Sequence, residues 1–485
     1  MMTSASKPIA GTLAAFLLFL PGCSEGETGP IRVSAIGAAP KIVNPNREPV
    51  DAATAFLLEA AAQGLVRFDA AGEIEPALAQ RWTVSDDGLR YTFRLARLNW
   101  GNGSRVTAEQ VVARLRSAAA PSSRNPVKPL LGAIDEVVAM TDEVLEISLK
   151  SPRPNFLQLL AQPQMAIMRN GQGLGPFRAS PVDGGAVSLS LPPAGEDEPE
   201  SPGLPPLLLR GAGAAAAVAA FQGGEAELVL GGTVGDLPLA RAARAAGNTL
   251  VFDPVGGLFG LSFDRIEGPL ETPEVRQALS MAIDRAALLG ALRVPGLQPR
   301  ESLVPSAIAE LPQPALPAWA ASPLADRRAA AAAVITDLDP QPLRLRVAMP
   351  DGPGHQLVFA HLRRDWAAIG VHAERVGPAQ PAELRFVDEV APIFLASWYL
   401  RHFRCEASRV CDPAADEMMD GARMAPDAAT RRGLLASADR ILVDRAAFIA
   451  LAAPVRWSLV SPRLTGFRAN PFGHHPAGEL IRAEP

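Results

Sequence analysis

The chain has 485 residues, of which 48% are hydrophobic and 20% charged, so it can bury globular cores and is not a mainly disordered polypeptide. Acidic residues outnumber basic ones, 51 to 46, which argues against a nucleic-acid binder resting on phosphate contacts. Three Cys exclude a disulfide scaffold or cysteine-rich metal protein, and the one stretch apolar enough to concern a membrane sits at the extreme N-terminus, which excludes a multi-span permease. At this length two or three domains are expected.

Residues 1–22 read as a signal peptide. Lys7 supplies its positive region, and Ile9 to Leu20 an apolar core of 12 residues, too short to span a bilayer. It ends in Leu20-Pro21-Gly22-Cys23, which resembles the bacterial lipobox, where the Cys is lipidated and becomes the mature N-terminus. The alternative is a cleaved secretory signal with an incidental Cys23. Residues 23–30 form a tether, and the lipid gives an anchor to a cell membrane, not a spanning helix. The mature chain is then periplasmic, in an oxidising compartment. There a short-loop disulfide between Cys405 and Cys411 is expected, with two free, buried thiols as the alternative.

Ile31 to Ile36 alternates apolar and polar residues as a strand does. A helix over 51–66 follows, capped by Asp51. Asp86-Asp87-Gly88 joins two strands of a hairpin, and Thr107 caps the next helix. Val144 to Leu149 is a strand, 181–206 an exposed loop, the Ala-rich 212–222 a helix and 227–230 a strand. Residues 273–292 form one amphipathic helix and 295–328 a proline-rich loop segment. Strand Leu343 to Ala348, helix 356–368, strand Val371 to Val376, helix 428–448 and strand Ile449 to Ala453 complete the series. Strands and helices alternate throughout, so the fold class is α/β.

Several stretches carry a resemblance. They are Glu59 to Trp82 (EAAAQGLVRFDAAGEIEPALAQRW), Ser85 to Val112 (SDDGLRYTFRLARLNWGNGSRVTAEQVV) and the turn Gly175-Pro176-Phe177. Pro273 to Arg285, with its Val-Arg-x-Ala-Leu-x-x-Ala-Ile-Asp-Arg core, Trp366 to Val371, and 436–453 complete them. In this order they resemble the bacterial extracellular solute-binding proteins of family 5, the peptide, dipeptide and nickel receptors of ABC importers. The resemblance implies a bilobal periplasmic-binding-protein-like fold (type II) with an extra inserted domain and the ligand cleft between the lobes. Lobe 1 would comprise 30–48, 174–255 and 457–485, the insertion 49–173, and lobe 2 256–456.

In peptide-binding members the segment after a Trp carries an acid that pairs with the peptide's α-amine. The matching Trp here is Trp398, and the acid's place falls at Arg401, a reversal of charge. A guanidinium suits a carboxylate or phosphate; the alternative is a surface Arg in an Arg-rich protein. The walls also differ, reading Ala38-Ala39-Pro40 after the first strand and Val255-Gly256-Gly257-Leu258-Phe259 at the interlobe crossing. Ala39, Gly257, Phe259, Phe177, Trp398 and Tyr399 are therefore the candidate cleft residues beside Arg401; each aromatic has a core role as its alternative, and the small residues suggest a roomier pocket or a changed ligand.

His474 and His475 are adjacent and the other His are scattered, so no metal site is assigned. There is no Gly-x-Ser-x-Gly, His-Glu-x-x-His or Walker A motif. The glycine-rich 171–175 reads as a hinge turn. The expected protein is a non-enzymatic, cofactor-free, monomeric receptor for a peptide or other small solute. Its partners are an ABC permease with its ATPase subunits and, through the lipid, a membrane. Alternatives are a sensor or interaction lipoprotein on the same scaffold, or a nickel or metal-chelate receptor.

Overall fold

The computed structural model describes residues 29–153, 155–192, 205–243, 249–338 and 342–480; the signal peptide and Cys23 lie outside the described residues. Three sheets organise the molecule. The largest has seven strands, in the order Arg178–Val182, Ala186–Ser190, Leu207–Ala212, Ile31–Ile36, Leu228–Thr233, Arg456–Val460 and Leu250–Asp253. Strand Ile31–Ile36 runs parallel to both its neighbours. It is covered on both faces, so its short run of Ile, Val and Ala is buried almost throughout. Helix Ala52–Ala61 starts at Asp51, whose Oδ1 accepts from the Thr54 amide at 2.9 Å, and lays Ala53, Phe56 and Leu57 onto this sheet.

The helix ends sooner than the expected 66, because Ala62 leaves helical geometry and Gly64 follows. The glycine run 171–175 begins in a turn, with Gly171 at φ +76° between the paired residues 168–169 and 172–173, and then packs closely. A Cβ on Gly173 would stand 2.1 Å from that of Ala62, and one on Gly175 would stand 2.2 Å from the Ala60 carbonyl. These glycines let the chain lie directly on the helix.

A four-stranded antiparallel sheet, in the order Ala79–Val84, Arg90–Leu95, Val144–Leu149, Ile134–Thr141, packs against helix Ala108–Ala119. The Trp100 indole donates to Gln110 Oε1 at 2.7 Å, and the same oxygen accepts from the Thr107 amide, which fixes the start of that helix.

The third sheet has five strands, His372–Val376, Arg344–Ala348, Leu384–Val390, Gly257–Phe263 and Phe448–Ala452. The chain passes between it and the seven-stranded sheet twice, over 254–256 and over 453–455. The crossings touch: a Cβ on Gly257 would lie 2.9 Å from Pro454 Cγ and 2.0 Å from the Glu389 carbonyl.

Three expectations change here. Residues 181–206 are not all loop, since Arg178–Val182 and Ala186–Ser190 pair as a hairpin. The 273–292 helix is two, Pro273–Met281 and Arg285–Leu292, because Asp284 accepts from the Ala287 amide and caps a new start. The proline-rich segment gives way to helix Leu324–Thr336 directly after Pro323.

Candidate ligand-binding site

The parallel strands Ile31–Ile36 and Leu228–Thr233 end at a cavity of about 510 Å³, the position outside the strand carboxyl ends where open α/β sheets bind ligands. The seven-stranded sheet contributes Thr233 and Trp457, the helix it carries contributes Glu59, the segment after Leu149 contributes Gln162, and the five-stranded side contributes Glu389 and Trp398.

The Trp457 indole donates to the Thr233 carbonyl at 2.8 Å, and its ring occupies the space that a side chain on Gly232 would need. The C-terminal segment closes the floor. Asp253 Oδ1 accepts from the Asn470 amide at 3.0 Å, and its other oxygen lies 3.3 Å from His475 Nε2.

One polar chain links all the walls. His474 Nδ1 lies 2.6 Å from Glu59, and its Nε2 lies 3.2 Å from Gln162 Oε1. The Gln162 amide then donates to the Pro392 carbonyl at 2.7 Å. Burial alone would lower the His474 pKa. The Glu59 carboxylate, with help from Asp253, overcomes this and raises it, so the charged imidazolium is favoured.

Two more bonds extend the seam. Asn155 donates to the Phe394 carbonyl at 3.0 Å, and Gln158 accepts from the Phe394 amide at 3.4 Å. Beyond the seam lies a second chamber of about 390 Å³ between the four-stranded unit and the five-stranded side, lined by Phe156, Ile393, Leu395, Arg153 and Arg401 among others.

Of the candidate residues, Trp398 lines the first chamber, edge-on to the rings of Tyr399 and His402. Arg401 lines the second. The others are corrected. Phe259 is fully buried in the five-stranded sheet, edge-on to Phe386. Gly257 is a buried crossing residue whose carbonyl accepts from Arg300 at 2.8 Å. Tyr399 is fully buried, and burial pushes its hydroxyl up to about 12. Ala39 is exposed and outside both chambers. Phe177 sits in the core beneath the helix Ala52–Ala61, beside a small cavity of about 30 Å³. Cys405 and Cys411 are joined as a disulfide, next to Arg404 and Glu406 of the second chamber. Among the described residues, no group of three or more His, Cys, Asp or Glu is placed to hold a metal ion.

Sequence reasoning missed Glu59, Gln162 and Trp457, and weighed His474 only as a metal ligand. The adjacent pair His474-His475 close to the C-terminus was the one signal available.

The family model "Bacterial extracellular solute-binding proteins, family 5 Middle" matches residues 73–189 and 209–403. The chain belongs to this family. Relatives include the glutathione-binding protein GsiB of Escherichia coli O1:K1 / APEC, 28% identical over 265 residues, which are 51% of each chain. The probable deoxycholate-binding periplasmic protein YgiS of Escherichia coli K12 is 34% identical over 121 residues, 21% of this chain and 23% of YgiS. The chain thus matches about half the length of its GsiB relatives and less of YgiS.

Among solved structures, Haemophilus influenzae OppA in complex with RPPGFSPFR superposes with a TM-score of 0.78 at 18% identity, over 93% of this chain and 98% of that one. The Escherichia coli murein tripeptide binding protein MppA gives 0.78 at 19%, over the same shares. NikZ from Campylobacter jejuni, in complex with Ni(L-His), gives 0.74 at 18%, over 93% and 97%. These likenesses establish the two-lobed α/β fold. The family members matched are substrate-binding proteins, not enzymes.

Proposed function

We propose that this protein is the lipid-anchored, periplasmic receptor of an ABC importer, which captures a peptide or related small solute between its lobes and delivers it to a permease. The observation that carries this reading is the chamber at the strand ends, walled by all three units and shut by the Glu59–His474–Gln162–Pro392 chain. A solute touching several walls favours the closed arrangement over an open one, which is how binding becomes a signal to a permease. The names of the relatives, glutathione-binding and murein tripeptide binding among them, support a peptide-like solute. Cys23 is the anchor in this reading.

The test is native mass spectrometry of protein from residue 24 onward, then a thermal-shift screen of di- to hexapeptides including glutathione. Ligand at 100 times its Kd stabilises by about 2.7 kcal/mol, a readily visible shift. A co-purified or shifting peptide that loses its effect in Trp398→Ala supports the receptor. No adduct and no shift across the panel overturns the peptide reading.

A further inference from the structure

The second chamber is lined by more positive than negative charge, with Glu406, 3.7 Å from Arg404, as its one acidic wall residue among those described. Five arginines line it, Arg153, Arg401, Arg404, Arg423 and Arg431. Three are accounted for: Arg404 and Arg423 share Asp420 at 3.1 and 2.8 Å, and Arg431 meets Glu310 at 2.7 Å. Arg153 and Arg401 have no carboxylate within ion-pair distance among the described residues.

The Arg401 Nε is buried without a hydrogen-bond partner, as is Nη2 of Arg431. Among the described residues the one bond from the Arg153 guanidinium is long, 3.4 Å, to the neighbouring Pro152 carbonyl. Burial lowers the Arg153 pKa to about 10, which still leaves the group charged at neutral pH. Of the acids, Glu389 acts on Arg401 and Glu310 on Arg153, but Glu389 faces His402 at 3.3 Å and lines the first chamber, and Glu310 is held by Arg431.

Buried cations without partners are costly, and proteins that keep them supply an anion. The two also come from different units, Arg153 from the segment after Val144–Leu149 and Arg401 from the end of helix Ala396–Arg401. An oxyanion between them would bridge the seam. Leu130, Phe156, Ile393 and Leu395 add apolar wall for a carbon skeleton.

We propose that this chamber is an oxyanion-binding site, in which Arg153 and Arg401 together hold the carboxylate or phosphate group of a small molecule. It goes beyond the receptor reading, because it concerns a different chamber and a defined ligand chemistry. Guanidinium forks match planar or tetrahedral oxyanions through paired N–H donors.

The test uses isothermal titration and thermal melts of protein from residue 24 onward at fixed ionic strength. The probes are citrate, inorganic phosphate, and Ala-Ala-Ala beside its C-terminal amide. We expect at least one anion to bind wild type, with affinity falling tenfold or more in Arg153→Gln and in Arg401→Gln. Citrate or free tripeptide binding would identify a carboxylate site, and phosphate binding a phosphate site. In anion-free buffer both variants should melt no lower than wild type, since Arg153→Gln removes a buried charge and Arg401→Gln a half-buried one, neither with a carboxylate partner among the described residues.

Three results overturn the proposal. One is equal stabilisation of wild type and the double variant by every anion, which is a general salt effect, or no binding of any anion. Another is a lower melting point of both variants without anion, which makes the arginines structural. A tripeptide that binds wild type and double variant alike would keep the receptor reading and remove this one.

Discussion

At the scale of single residues, several signature positions prove to be structural. Arg276 gives its guanidinium to the carbonyls of Arg445, Leu270 and Glu271, and Arg285 binds the Ala450 and Ser280 carbonyls while lying over Trp319. The motif from Pro273 to Arg285 was legible because these demands are local and strict. Trp398 lines the first chamber as expected, whereas Phe259, Tyr399 and Phe177 lie in the core, because nothing in a one-dimensional string tells a core ring from a cleft ring.

Tyr399 illustrates the difference. Its hydroxyl is buried with no hydrogen-bond partner, beside Gly256, where an added Cβ would stand 3.2 Å away. A buried hydroxyl without a partner costs stability. Tyr399→Phe should therefore raise stability by about 1 kcal/mol in urea denaturation and leave solute binding unchanged. A loss of affinity would return Tyr399 to the cleft.

At the scale of elements, strands that alternate cleanly were read to the residue, as at Ile31–Ile36 and Val144–Leu149. The hairpin over 178–190 was missed because Pro181, Gly184 and Gly185 signal a loop. It survives because Arg178–Val182 is the sheet edge, where proline's missing donor does no harm.

The break in the 273–292 helix has a distant cause. Asp365, fully buried in helix Pro353–Ala367, accepts from the Asp284 amide at 2.9 Å and from Arg328 at 2.7 Å, which locks the junction between the two shorter helices. Asp365→Ala strands these donors, and Arg364 which also donates to Oδ1, and should cost about 3 kcal/mol, at the lower end for a broken buried pair because both arginines reach solvent. Asp365→Asn, which keeps an acceptor, should recover part of that loss in the same denaturation experiment.

At the scale of the whole molecule, the chambers were illegible because their contacts join residues far apart in sequence. Gln162 and Pro392 are separated by 230 positions, and His474 and Gln162 by 312. No periodicity reports such pairs.

The same chain of contacts should make folding stability pH-dependent. His474 has a folded pKa above its ordinary value, so its contribution is fully present below the unfolded histidine range and is lost as pH rises through the folded pKa. Around it stand Glu59, Asp253 and the neutral Gln162. Melting temperature should decline from about pH 6.5 into the alkaline range in wild type, and His474→Gln should flatten that decline. An unchanged slope in the variant would show that the imidazolium does not hold the seam.

The two crossings that touch at Gly257 and Pro454 have a mechanical consequence. Side-by-side crossings make one fold line, and each point of a rigid lobe travels in proportion to its distance from that line. The first chamber meets the line directly through Asp253, Val390 and Arg456, whereas no residue flanking the crossings lines the arginine chamber. On the receptor reading, the arginine chamber would open further than the first for the same rotation, so the lever arm would give the two chambers different apertures.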